Sequence, residues 1–301
     1  MASVSQWIEG ARPRTLPAAF APVAAGVGLS IHHAGFLGAT TAVRGLLALG
    51  LALALQVGVN YANDYSDGIR GTDEDRVGPF RLTGSGAAPA STVKRAAFLS
   101  FGIGGLFGLV LVALAGAWWM LLVGVACVLA AWFYTGGKRP YGYLGFGEVM
   151  VFIFFGLVAV MGTSYLITGR TSWEDVLVAA AIGLLACAVM LTNNLRDIPT
   201  DEVAGKRTLA VRLGDARTRR LFAATLLVPF LLVIPYTIVN IGVVITLIAV
   251  VLTVHPLRLV VAEHATGRSL IPVLGAAGKL EAAVGLLLLI GPILTLVLSL
   301  R

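Results

Sequence analysis

Two stretches of the sequence pair amide and carboxylate side chains at helical spacing. The first reads Asn60-Tyr-Ala-Asn63-Asp64-Tyr-Ser-Asp67-Gly-Ile-Arg70-Gly71-Thr-Asp73, and the second Asn193-Asn194-Leu-Arg196-Asp197-Ile-Pro-Thr-Asp201-Glu-Val-Ala-Gly205-Lys206. In each, an Asp follows an Asn by four residues and another Asp follows later. Residues four apart share a helix face. Asn63 with Asp67, and Asn193 with Asp197 and Asp201, therefore form oxygen-bearing stripes. Pro199 is expected to bend or end the second helix, which would turn Asp201 away from the face shared by Asn193 and Asp197. Oxygen donors of this kind are the hard ligands that suit Mg²⁺, which also takes phosphate oxygens. Charge alone would fit solvated loops equally well. The repeated spacing, about 130 residues apart at equivalent helix ends, favours a metal–diphosphate site over that reading.

The elements that must position these stripes are apolar. Of 301 residues, 58% are hydrophobic and 12% charged, against roughly 25% charged in a soluble domain. Nine apolar stretches of spanning length fall at approximately 15–31, 43–62, 96–115, 117–135, 146–167, 174–194, 220–238, 241–259 and 280–299. The expected fold is all-α, a multi-pass bundle of nine transmembrane helices around a cavity, in one domain over residues 1–301. A β-barrel would show short alternating segments, and runs such as LLVGVACVLAAW have no period of two. The first stretch could pass for a secretory signal, but eight more follow it, so an uncleaved first helix is expected.

The two Asp-rich stretches close the second and sixth spans. Of the 22 Lys and Arg, all but Arg44, Arg170 and Arg301 fall on that same side of the nine-span arrangement. The positive-inside rule then puts the N-terminus and the Asp-rich connections in the cytoplasm and the C-terminus outside. The net charge of +7 fits anionic headgroups or an anionic substrate, and a chain buried in lipid argues against nucleic acid as a partner. Cys127 and Cys187 lie in apolar runs without metal-ligand spacing. Trp118, Trp119 and Tyr236 fall near the outer span ends, where an aromatic belt is expected. The glycines inside the spans read as close helix packing.

These motifs, the Tyr134-Thr-Gly-Gly-Lys138 stretch and the nine spans resemble the UbiA superfamily of intramembrane prenyltransferases. Within it, NDYSDGIRGTDEDRVGP, YTGGKRPYGYLGFGEV and RDIPTDEVAGKRTLAVRLG are similar to the branch acting on 1,4-dihydroxy-2-naphthoate in menaquinone biosynthesis. Gly71 stands where many relatives carry an acidic residue, and Asp73 takes its place. The resemblance implies a bacterial plasma-membrane enzyme that moves a polyprenyl chain from its diphosphate to that acceptor, with loss of CO₂ and diphosphate. It further implies Mg²⁺ held by Asp67, Asp73, Asp197 and Asp201, with Asn63 and Asn193 assisting.

Cations should supplement the metal. Arg81 and Lys138, one turn beyond Tyr134, resemble family positions near the diphosphate. Lys206 and Arg207 follow the second motif and would serve alike, although each of the four also fits a positive-inside anchor. Asp64 reads as proton acceptor or as support for the metal ligands. Glu148 is either a packed structural carboxyl or a group facing the acceptor. The rival readings are another aromatic acceptor, such as 4-hydroxybenzoate, homogentisate or haem, and an ion-coupled transporter. A transporter would carry its charges at mid-membrane, whereas the clustered carboxylates here sit at one face.

Overall fold

In lipid every backbone N–H and C=O must be satisfied within the chain, and a helix does this inside one segment. The computed structural model describes residues 2–71 and 80–300, and among these it contains helices and no strands. Asp73 lies outside the described residues. The apolar helices are α1 (Pro17–Ala34), α2 (Ala39–Gly68), α3 (Ala90–Ala115), α4 (Met120–Phe133), α5 (Gly147–Thr168), α6 (Trp173–Val203), α7 (Asp215–Val239), α8 (Ile241–Ala262) and α9 (Gly267–Ser299).

All nine expected stretches are helical, but they are not nine full crossings. Seven are individually long and apolar enough to span, and α1 makes an eighth with the preceding Val4–Thr15 segment, from which it bends by 50°. Helix α4 has 14 residues, about 21 Å at 1.5 Å per residue, short of the roughly 30 Å hydrocarbon core. Hydrophobicity alone ran this stretch together with residues 117–119, which form a turn after Gly116 at φ 69°.

Helices α2 and α6, with 30 and 31 residues, are about 45 Å long and so overrun the apolar core. Their C-terminal turns carry the Asn/Asp stripes. Helix α6 continues past Pro199 to Val203, so the helix does not end at the proline and Asp201 stays helical. Helix α6 is also the centre of the bundle, packing against α5, α7 and α9 through Ile182, Leu185, Leu191, Phe222, Leu226 and Leu280. Glycine permits the closest approaches: a Cβ on Gly28 of α1 would lie 2.1 Å from the Leu288 carbonyl of α9.

Side-chain and backbone hydrogen bonds tie the connections together at two opposite ends. At one, the Arg70 guanidinium donates to the Thr135 and Gly137 carbonyls, and the Arg207 N–H donates to the Tyr143 carbonyl at 2.9 Å. At the other, Arg44 donates to the carbonyls of Leu114, Leu166 and Ile167, and His33 meets Asp175 at 2.7 Å. Tyr236, expected in an aromatic belt, is instead fully buried against His32, whereas Trp118 and Trp119 are exposed.

Candidate active site

Acidic residues at a helix C-terminus face the negative end of the helix dipole, so the stripes on α2 and α6 need cations beside them. The structure supplies these from the connections. Asp67 is buried, with Oδ1 accepting from the Tyr143 hydroxyl at 2.6 Å and Oδ2 lying 3.5 Å from Arg81. Asp201 pairs with Lys206 at 3.7 Å, and the Lys206 ammonium stands 4.7 Å from the centre of the Tyr143 ring. The Arg70 guanidinium lies over the same ring at 5.5 Å. Tyr143 therefore joins the two motifs: its hydroxyl meets the first and its face meets the cation of the second.

Asn63, Asp67, Arg81, Tyr134, Asn193 and Lys206 border one cavity of about 2180 Å³, together with Asp201 and Tyr143. From this polar mouth the cavity continues between apolar walls, with Leu51, Val112, Leu121, Val125 and Leu166 among the residues lining it. The Asn63 carbonyl oxygen accepts from Thr135 at 2.8 Å. Tyr134 packs edge-on to Tyr141, whose hydroxyl donates to the Ala130 carbonyl at 2.8 Å. Burial pushes the Tyr141 phenol above its ordinary range, so it stays a protonated donor.

Other residues singled out in the sequence are placed elsewhere. Asp64 has no exposed surface, and its carboxylate accepts the N–H groups of Leu82 and Thr83 at 2.7 and 2.8 Å. It fixes the loop that carries Arg81. Asp197 is buried but does not border the cavity, and Arg196 grips it through two bonds of 2.7 and 2.9 Å. Lys138 and Arg207 are exposed and outside the cavity lining. Glu148 is buried behind Asn194, which donates to its Oε1 at 2.7 Å and itself borders the cavity.

Sequence reasoning missed Tyr143, Arg196 and Arg12. Arg12 borders the cavity with φ 54°, a left-handed backbone for a non-glycine residue. Asn60 holds this turn by donating to the Ala11 carbonyl at 2.8 Å and to Thr15 Oγ1 at 2.9 Å. Nothing in the spacing of the chain marks Tyr143, which reaches Asp67 through the one-turn helix Tyr141–Leu144.

A helical membrane protein whose deep apolar cavity opens through a mouth of carboxylates, amides and cations is built as an intramembrane enzyme for an amphipathic anion. Residues 19–269 match the UbiA prenyltransferase family, and the chain belongs to that family. It is 52% identical over 281 residues to the 1,4-dihydroxy-2-naphthoate octaprenyltransferase of Mycobacterium tuberculosis, covering 92% of this chain and 93% of that protein. The Escherichia coli protein of the same name is 42% identical over 227 residues, 73% of this chain and 72% of that one. Among solved structures, a UbiA homolog from Archaeoglobus fulgidus bound to DMAPP and Mg²⁺ shares the fold with a TM-score of 0.65, covering 94% of this chain and 99% of that chain at 14% identity.

Proposed function

We propose that this protein transfers a polyprenyl chain from its diphosphate to 1,4-dihydroxy-2-naphthoate, releasing diphosphate and CO₂ and giving demethylmenaquinone. The observation that carries the reading is the cavity itself, in which Asn63, Asp67, Asn193 and Asp201 stand with Arg81 and Lys206 at the head of an apolar channel. The identity to the named bacterial relatives supports the choice of acceptor.

The donor set fits Mg²⁺. It consists of carboxylate and amide oxygens, with no sulfur or imidazole among them, which is the set a hard dication prefers. Asn63, Asp67, Asn193 and Asp201 would hold it, joined by Asp73, and by Asp197 on release from Arg196. Bound there, Mg²⁺ would neutralise the charge that develops on the departing diphosphate.

The remaining work falls to the chain. Arg81 and Lys206, now paired with Asp67 and Asp201, supply charge-assisted bonds to diphosphate oxygens. Tyr143 keeps Asp67 oriented and Lys206 in place through the contacts of its hydroxyl and ring. The apolar walls keep water from the allylic cation formed as diphosphate leaves. Aromatic side chains at the cavity surface, Tyr134, Phe154 and Phe155, stabilise its positive charge with their ring faces. The weight of Lys and Arg on the Asp-rich side orients the mouth, and with it the N-terminus, toward the cytoplasm of a bacterial cell, with the C-terminus outside.

The test is diphosphate release by the purified protein with a prenyl diphosphate and the naphthoate. Release should require Mg²⁺, stop with EDTA, and fall at least 100-fold in Asp67→Ala and Asp201→Ala. Full turnover in EDTA, or in a folded Asp67→Ala protein, would overturn the metal–diphosphate assignment.

A further inference from the structure

Of the ionisable residues that border the cavity outside the two motifs, Glu9, Arg12, Arg14, His255, Lys279 and Glu281 among them, Glu281 is a carboxyl with no exposed surface. Glu281 lies on α9, ten residues past Ile271, about 15 Å along the helix. It has no exposed surface yet borders the cavity, and neither of its carboxyl oxygens has a hydrogen-bond partner among the described residues. The Cys187 thiol of α6 donates to the Glu148 carbonyl at 3.1 Å. The Glu148 side chain uses Oε1 for Asn194 and leaves Oε2 without a partner. Neither Glu148 nor Glu281 forms an ion pair among the described residues.

Burying a carboxyl without a partner is strongly unfavourable, and at membrane depth such a group marks function. The partner it lacks must donate a hydrogen bond and carry an apolar body. The diphosphate and the acceptor's carboxylate fail this test, because like charge excludes them, and their place is with Arg81 and Lys206. An isoprenyl chain has nothing to donate. A hydroxyl on an aromatic ring has what is needed.

We propose that Glu281 receives a ring hydroxyl of the aromatic acceptor and takes its proton as the ring attacks the prenyl group. This assignment rests on the function proposed above. The hydroxyl O–H bond breaks and the proton passes to the Glu281 carboxylate. The electron pair left on oxygen enters the ring, and the adjacent ring carbon, which bears the carboxylate, bonds to the allylic carbon. The C–O bond to diphosphate breaks and its pair leaves with the diphosphate. Departure of CO₂ returns a bonding pair to the ring, and the ring oxygen recovers its proton from Glu281. No proton is gained or lost overall. Glutamate held away from bulk water is a base suited to such a transfer, and general bases of this kind contribute about 10²–10⁴-fold.

The experiment uses the full chain in detergent with Mg²⁺, a prenyl diphosphate and two phenols, 1,4-dihydroxy-2-naphthoate and 4-hydroxybenzoate. Glu281→Gln should lower kcat at least 100-fold while leaving KM for the prenyl diphosphate within twofold. Glu281→Leu should also raise the acceptor KM at least tenfold. Both variants should keep or raise the Tm, since each removes an unpartnered buried carboxyl and no contact that holds the fold. Unchanged kcat and acceptor KM would overturn the assignment, as would a lowered Tm with equal losses for both substrates. Wild-type turnover of 4-hydroxybenzoate in place of the naphthoate would refute the proposed acceptor alone. On that phenol the kcat loss in Glu281→Gln would still support the role of Glu281, and its absence would overturn it.

Discussion

Asp64 stands beside the first Asn/Asp stripe in sequence, yet both its oxygens are engaged by the N–H groups of Leu82 and Thr83 at 2.7 and 2.8 Å. Hydrogen bonds to charged groups contribute about 1.5–3 kcal/mol each, so Asp64→Ala should weaken the Leu82–Thr83 anchorage by about 3–6 kcal/mol. At 1.4 kcal/mol per factor of ten, amide exchange at these two residues should accelerate by about 10²–10⁴-fold. Asp64→Asn keeps one acceptor oxygen and should show about half the free-energy change. The loop carries Arg81, 3.5 Å from Asp67, so the functional consequence should be a raised KM for prenyl diphosphate with the acceptor KM little changed. Hydrogen exchange followed by mass spectrometry over residues 80–88 reads the first effect and steady-state kinetics the second. Unchanged exchange together with abolished turnover would refute the anchoring role and make Asp64 a reacting group.

Tyr143→Phe removes the hydroxyl donor to Asp67 but keeps the ring under Lys206, so kcat/KM for the prenyl diphosphate should fall about 10- to 100-fold, the scale of one bond to a charged acceptor. Lys138→Ala and Arg207→Ala, at exposed positions outside the cavity, should stay within about threefold of wild type, whereas Arg81→Ala and Lys206→Ala should lose at least tenfold. In a Gly28→Ala variant the added Cβ would meet the Leu288 carbonyl at 2.1 Å, so a thermal scan should show a lower Tm. The control Gly102→Ala, with nothing within 4 Å, should be neutral or gain up to about 1 kcal/mol from helix propensity. Cysteines introduced at positions 138 and 207 should react from the cytoplasmic side and one at 170 from the outside, and labelling of 138 and 207 from opposite sides would contradict the proposed orientation.

The helical architecture and the two stripes were legible because lipid leaves few alternatives to a helix, and because amides and carboxylates at the ends of apolar runs stand out from their surroundings. Partners distant in sequence were not legible. The two N–H groups that claim Asp64 belong to residues 18 and 19 positions away. In the α4–α5 connection, the family resemblance drew attention to Lys138, but the chain turns there through Gly137 at φ 77°. The backbone then brings Tyr143 to Asp67 and leaves Lys138 in solvent. Glu281 lies near the start of the expected 280–299 span, where a carboxylate reads as a boundary residue. Because α9 begins at Gly267, the same residue is in fact deep in the bundle. The length of α4 was obscured for a related reason, since an apolar turn and an apolar helix have the same hydropathy.

The central claim is that this cavity joins a prenyl diphosphate to 1,4-dihydroxy-2-naphthoate with loss of the carboxylate. Its most direct test supplies the purified protein with Mg²⁺, a prenyl diphosphate and carboxyl-labelled naphthoate, and follows labelled CO₂ and prenylated product together. The account predicts one CO₂ for each product molecule, and neither when Mg²⁺ is withheld. Product that retains the label, or preferential prenylation of 4-hydroxybenzoate with its carboxylate intact, would contradict it.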